Sequence, residues 1–315
     1  MIKLFVHAFV LVSLSILLFP LPLAAQNTQP QQCDRNRVSL EVLGSGGPEL
    51  DDGRNSSGYI VWVDNQSKVI IDAGAGTSVA FGKAGGKFEH VSAILLTHLH
   101  VDHSLDLPAY IKGSFFTPRR QDLIVAGPAK NKLMPSTSEY VQRLLGQSGA
   151  FHYLKEYADA GSQSDYKIVA IDIDATVSAQ PNPLTINEQI TASAITVHHG
   201  PIAAIAWKIQ VMGCTLVFSG DMSNDRDVLA SFAHSADILI ANNAVPEMAG
   251  EVAKNLHMTP IEIGKIAQLA QTKKLLLSHF MNRTLTTQDA SVKQVKKHYS
   301  GPIVLAEDGM TVRLD

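Results

Sequence analysis

Apolar residues recur in short runs along this chain, separated by Gly, Asp and Asn. Val38–Leu43, Gly58–Val63 and Lys68–Ala73 read as strands. Val91–Thr97 is a further apolar strand, and a helix is expected near Leu105–Gly113 before a strand at Asp122–Ala126. Strand patterns resume at Ile168–Ile173, Ile190–Val197, Ala204–Met212 and Thr215–Ser219. Ile238–Ala241 and Leu275–Ser278 follow, with a helix between them at Pro260–Ala270. That helix has Thr259 as N-cap, Pro260 in the first turn and Glu262 at the capping-box position. A helix at Gln288–His298 and strands at Ile303–Ala306 and Met310–Leu314 complete the chain. Strands in both halves with helices between them predict a layered α/β architecture.

Residues 128–165 break the pattern. Ser136-Thr137-Ser138-Glu139 is a capping box, and Tyr140, Val141, Leu144 and Leu145 follow at helical spacing. Phe151, Tyr153, Leu154 and Tyr157 add an aromatic cluster. The segment reads as a helical insert with its own small core, placed to act as a lid or substrate-selecting element.

The first 25 residues have a basic Lys3, an apolar stretch Ala8–Phe19, and small residues ending at Ala25. This is the plan of a secretory signal peptide. The stretch is short for a membrane span, which needs about 20 residues. Residues 26–36 form a polar leader, and residues 37–315 form the domain. Export to the periplasm or beyond, without stable membrane insertion after cleavage, is therefore expected. Cys33 and Cys214 could form one disulfide there or remain as two thiols.

The 315 residues carry a net charge of −3 and no Lys/Arg block, which argues against a nucleic-acid partner. Lys293, Lys296 and Lys297 read as a solvated helix face. A small-molecule substrate fits better, and the oligomeric state is left open.

The chemistry concentrates in His98-Leu99-His100-Val101-Asp102-His103, directly after the strand ending at Thr97. Imidazole and carboxylate are the ligands zinc uses, and fewer than four protein ligands leave a position for water. His198-His199-Gly200, Gly220-Asp221 and His279 each follow another apolar run. Sites in open α/β sheets lie outside the carboxyl ends of strands. A lone Asp there is usually a turn former and a lone His structural, but together and in this order they form a metal constellation.

This order of motifs resembles the metallo-β-lactamase superfamily over nearly the whole domain. The resemblance implies a four-layer αββα sandwich with a dinuclear site at one edge. It implies that His98, His100 and His199 hold one metal, that Asp102, His103 and His279 hold the second, and that Asp221 bridges them. His198 is the alternative to His199. Zinc is the first choice for both metals, with manganese or iron open. Gly44-Ser45-Gly46-Gly47-Pro48, Arg54-Asn55-Ser56-Ser57-Gly58, Ile71-Asp72-Ala73-Gly74 and His257-Met258-Thr259 resemble the ribonuclease Z and arylsulfatase-like branch. In that branch the His of the His-x-Thr motif sits over the leaving group; a helix-flanking surface His is the plainer reading of His257. Asp72 reads as a supporting or turn residue rather than a ligand.

The resemblance implies a hydrolase acting on a phosphodiester, sulfate ester or similar small ester. Two cations about 3.5–4 Å apart would generate a hydroxide near neutral pH. Asp102 would orient it, and His257 would protonate the leaving oxygen. A bridging Asp221 departs from true β-lactamases. A lactonase or promiscuous β-lactamase on the same site is the alternative. Ribonuclease Z activity itself is not expected, since the chain looks exported and lacks a basic tRNA-gripping arm.

Overall fold

The computed structural model describes residues 1–2, 32–175 and 180–314. The chain divides into residues 1–31 and 32–315, and the architecture below is that of the second unit. The signal sequence expected over residues 1–25 and most of the polar leader lie outside the described residues.

Fourteen strands are assigned among the described residues. In the first half they are β1 (Val38–Gly44), β2 (Gly58–Val63), β3 (Gln66–Ile71), β4 (Ala93–Leu95), β5 (Leu123–Pro128) and β6 (Ile168–Ile173). The second half holds β7 (Asn182–Thr185), β8 (Ile190–His199), β9 (Ile202–Val211), β10 (Cys214–Phe218), β11 (Ile238–Asn242), β12 (Leu275–Ser278), β13 (Ile303–Leu305) and β14 (Thr311–Arg313). They form two seven-stranded sheets, ordered β14-β1-β2-β3-β4-β5-β6 and β13-β12-β11-β10-β9-β8-β7. Each sheet is mixed: β14 to β3 pair antiparallel and β3 to β6 parallel, and likewise β7 to β10 and β10 to β13.

Alternation along the strands of the first sheet sorts its side chains between two apolar layers. Tyr59, Val61, Val63, Ala93 and Leu95 join the core shared with the second sheet. Ile60, Ile70, Ile94 and Leu96 join a second cluster with Phe81, Leu107, Tyr110 and Ile111, which belong to the helices Thr77–Lys83 and Leu107–Ser114. Across the sandwich, the Tyr59 and Phe218 rings lie 5.6 Å apart and the Tyr59 hydroxyl donates to Ser278 Oγ at 2.7 Å. The second sheet is covered by Pro260–Leu269 and Gln288–Val295, whose Ile263, Ile266, Ala267 and Val295 enter the shared core. The result is the expected four-layer αββα sandwich.

Several elements differ from expectation. The single helix expected at Leu105–Gly113 is two, Val101–Ser104 and Leu107–Ser114. Pro108 in the first turn of the second helix marks the new start. Asp102 and His103 therefore sit on a helical turn rather than in a loop. β7 is an unforeseen edge strand, because Asn182-Pro183-Leu184-Thr185 has too few apolar residues to announce one. The insert over 128–165 has no separate core. Its capped helix Thr137–Leu145 sends Val141 and Leu145 into the same cluster as Leu123 and Val125, so this helix is part of the outer layer of the first sheet. Cys33 and Cys214 are disulfide-bonded, pinning the start of the domain to the β9–β10 hairpin.

Candidate metal centre

The carboxyl ends of β4, β8, β10 and β12 converge at one edge of the sandwich. Two bonds from β9 lock the end of β4 in place: Ile205 N donates to Thr97 O at 2.9 Å, and Trp207 Nε1 donates to Leu96 O at 3.0 Å. His98 follows directly, and His100 is the N-cap of the turn carrying Asp102 and His103. His199 ends β8. Asp221 follows β10 through Gly220, whose φ of 59° puts it in the left-handed region. A Cβ on Gly220 would stand 2.7 Å from that of Thr97, so only glycine lets the ends of β10 and β4 approach this closely. His279 follows β12 with φ 54°. His257 lies just before Thr259, the N-cap of Pro260–Leu269.

These side chains meet in two adjoining groups. His98, His100, His199 and Asp221 place donor atoms within 4.8 Å of one another, and so do Asp102, His103 and His279. All are buried except the half-buried His100. Asp221 stands between the groups. Its Oδ2 is 4.0 Å from His98 Nε2, 3.7 Å from His103 Nε2, 3.7 Å from His199 Nε2 and 3.8 Å from His257 Nδ1. Its Oδ1 is 3.4 Å from His279 Nε2. His198, the alternative to His199, turns away to Asn255 Oδ1 at 3.1 Å and Asp225 Oδ2 at 3.6 Å.

A surrounding layer of hydrogen bonds sets His103, His199 and Asp221. His103 Nδ1 donates to Asp72 Oδ2 at 2.8 Å, leaving Nε2 facing Asp102 and Asp221. Asp72 is itself fixed by Thr97, whose N–H donates to Oδ1 at 2.7 Å. His199 Nδ1 donates to Leu256 O at 2.8 Å, leaving its Nε2 for the cluster. Asn242 Nδ2 donates to Asp221 Oδ1 at 2.7 Å. The role of Asp72 follows from its place beside the His motif. Asn242 and the Leu256 carbonyl were not singled out in the sequence; the Asn242-Asn243 pair at the end of an apolar run is the one available signal for the former.

The electrostatics suit a cation. Burial drives His98, His100 and His199 below the usual imidazole range, and brings His257 down to about 4. Burial also opposes a charge on His103, but Asp102, Asp72 and Asp221 hold it well above that range. His279 is raised against its burial by Asp221 and Asp102. Burial would raise Asp102, yet His103 and His279 bring it down to about 2. Asp221 is held well below the usual carboxylate range by His279, His257 and His103, against its burial. Nε2 of His103 and His199 and Nδ1 of His257 and His279 are buried without a hydrogen-bond partner. Buried polar atoms are rarely left so. Two anionic carboxylates amid these orphaned nitrogens fit one or two divalent cations, and the imidazole-carboxylate donor set suits zinc.

The family model described as Anti-Pycsar protein Apyc1 matches residues 38–299, a span holding every residue of this cluster. The chain belongs to the Apyc1 family. Among curated relatives of this family member, ribonuclease Z of Methanosarcina acetivorans is 26% identical over 310 residues, covering 88% of this chain and 98% of that protein. Among solved structures, the metallo-β-lactamase fold protein YhfI from Bacillus subtilis superposes with a TM-score of 0.67 at 23% identity, covering 87% of this chain and 99% of its own. Human tRNase Z, short form, gives 0.68 at 21% identity, covering 88% and 99%. These place the Apyc1-family chain, with its buried His/Asp cluster, in the metallo-β-lactamase fold and relate it to ribonuclease Z.

The motifs shared with the ribonuclease Z branch also acquire a physical role. Asn55 N donates to Asp308 Oδ2 at 2.7 Å, Asn55 Nδ2 to Leu43 O at 2.9 Å, and Arg54 Nη1 to Ala306 O at 2.9 Å. Arg54 and Asn55 bracket the first glycine-rich turn to the turn before β14. They touch none of the clustered imidazoles through these bonds.

Proposed function

We propose that this protein is a metal-dependent phosphodiesterase for small substrates, with a cyclic nucleotide as the first class to test. The observation that carries this reading is Asp221, a buried anionic carboxylate within 4.0 Å of five imidazoles, which belongs to one donor group and reaches His103 and His279 of the other. A shared carboxylate holds two cations close, which suits an ester with two charged non-bridging oxygens. Apyc1 is a cyclic nucleotide phosphodiesterase, and membership of its family supports the choice of substrate over a sulfate ester. The net charge of −3 favours a small substrate over a nucleic acid, because phosphate contacts provide most nucleic-acid affinity.

In this reading His98, His100, His199 and Asp221 would hold one zinc, and Asp102, His103 and His279 would hold the other. When bound, the cations would acidify a shared water and neutralise charge on the phosphoryl oxygens. The chain supplies orientation and proton transfer. Asp102 Oδ2, 3.2 Å from His279 Nε2, would accept a hydrogen bond from the attacking water and fix its direction. His257 gives a proton to the leaving oxygen. Burial keeps it neutral in the resting chain, and the negative charge of a bound phosphodiester raises its affinity for that proton. Asn242 and Asp72 keep Asp221 and His103 in place.

Export remains part of the proposal. The apolar stretch Ala8–Phe19 and the Cys33–Cys214 disulfide both support an oxidising compartment. The deciding experiment assays the protein with and without chelator against 3′,5′-cyclic nucleotides, a nitrophenyl sulfate, a homoserine lactone and a β-lactam. Chelator-sensitive turnover of the cyclic nucleotides, lost in Asp102→Asn, is expected. Hydrolysis of the lactone or β-lactam with phosphodiesters untouched would replace this reading with the lactonase alternative. His257→Ala should slow esters of poor leaving groups more than nitrophenyl esters.

A further inference from the structure

Thr97 stands between β4 and His98 and is buried. Its backbone is tied on both sides: Thr97 O accepts from Ile205 N at 2.9 Å, and Thr97 N donates to Asp72 Oδ1 at 2.7 Å. Gly220 packs against its Cβ. These contacts fix where the hydroxyl sits. Thr97 Oγ1 is 3.1 Å from Asp72 Oδ1, 2.9 Å from Asp72 Oδ2 and 3.1 Å from His98 Nδ1. His103 Nδ1 lies farther off, at 3.5 Å, and already has Asp72 Oδ2 at 2.8 Å.

A hydroxyl carries one proton, and a carboxylate attracts it more strongly than a neutral imidazole does. Thr97 Oγ1 therefore donates to Asp72 and accepts from His98. Burial keeps His98 neutral, so its ring has a single N–H. With that N–H at Nδ1, the Nε2 lone pair faces the donor group, 3.0 Å from His100 Nδ1 and 4.0 Å from Asp221 Oδ2. The opposite tautomer would put the proton on Nε2, pointed at His100, and close that nitrogen to a cation.

We propose that Thr97 is a positioning residue for the metal centre, its hydroxyl accepting the Nδ1–H of His98 and so presetting Nε2 as the ligand atom. One carboxylate then governs a ligand in each donor group: Asp72 sets His103 by direct contact and His98 through the Thr97 hydroxyl. His199 differs, because its Nδ1 is held by the backbone carbonyl of Leu256, which no side-chain substitution removes. The proposal rests on reading the cluster as a metal site and is independent of which ester is cleaved.

The test compares Thr97→Val, which keeps the branched shape against Gly220 and removes the hydroxyl, with Thr97→Ser, which keeps the hydroxyl and removes the methyl. Imidazole nitrogen NMR of the metal-free protein, labelled at histidine, should show His98 protonated at Nδ1 in the wild type and in Thr97→Ser. In Thr97→Val it should shift toward the Nε2–H tautomer. Zinc titration against a chromophoric chelator should show one binding step weakened about 10–100-fold in Thr97→Val and within about threefold of wild type in Thr97→Ser. A loss of packing alone would weaken Thr97→Ser as much as Thr97→Val, and that pattern would overturn the proposal. So would a wild-type His98 protonated at Nε2, or a folded Thr97→Val with wild-type tautomer or wild-type zinc affinity. Should the wild type bind no zinc, the metal reading fails, while the tautomer still decides the part played by Thr97.

Discussion

Asp72 Oδ2 lies 2.8 Å from Nδ1 of His103, both fully buried, and this contact fixes which nitrogen His103 offers to the cluster. Such a carboxylate orients the imidazole and raises its basicity as a ligand. Asp72→Ala should therefore weaken zinc binding by about 10–100-fold while leaving the other six clustered side chains in place. Competition with a chromophoric chelator measures this. Unaltered affinity would remove Asp72 from the account.

Asn242 plays the corresponding part for Asp221. Its Nδ2 satisfies Oδ1 and leaves Oδ2 toward four imidazoles. Asn242→Leu should leave a buried carboxylate oxygen short of a donor, at a cost of about 1–3 kcal/mol. The expected readout is a lower kcat with a near-normal KM, because Asn242 is buried and acts through Asp221. A variant with wild-type kcat would show that Asp221 holds its position without help.

The depressed value of His257, about 4, sets a pH dependence on the metal-free protein. The unfolded chain takes up this proton near 6.5, so between about 6.5 and 4 it binds more protons than the folded chain. Stability therefore rises with pH and is lost as pH falls through that window. The contribution of His257 to the loss between pH 7 and pH 5 is about 2 kcal/mol. Urea denaturation of chelated wild type and His257→Gln at both pH values should show a shallower loss in the variant. Equal losses would mean that His257 does not stay neutral on folding.

The Cys33–Cys214 disulfide closes a separation of 181 residues. The chain-entropy account places such a long closure at about 5 kcal/mol. Denaturant midpoints with and without reductant, or for Cys33→Ser, measure the difference. No change on reduction would assign the tether to the bond from Asp34 N to Met212 O at 3.0 Å instead.

The sequence makes the site legible because the clustered residues follow four apolar runs, with four of them after the first. The ends of β4, β8, β10 and β12 are readable as pattern, and a layered sheet brings such ends to one edge. Asp221 could be singled out by its motif, but the five imidazoles within its reach appear only in three dimensions. His198 and His199 could not be separated by spacing, since strand alternation turns one in and the other out. The helical turn at Val101–Ser104 was hidden by the short spacing of its ligands. The core shared by Val141 and Leu145 with the first sheet was hidden because a helix's periodicity does not name the surface it covers. Asn242 and the Leu256 carbonyl act through contacts distant in sequence, which no local pattern records.

In the proposed function, the seven clustered side chains form a two-metal centre that cleaves a small phosphodiester. The most direct test counts bound metal and measures 3′,5′-cyclic nucleotide turnover on the same preparation, for wild type and Asp221→Asn. Two metals per chain are expected in the wild type, with turnover that disappears when they are stripped and returns with zinc, and loss of both metal and turnover in the variant. Turnover by the metal-free chain, or a fully metal-loaded wild type inert towards every phosphodiester tried, would contradict it.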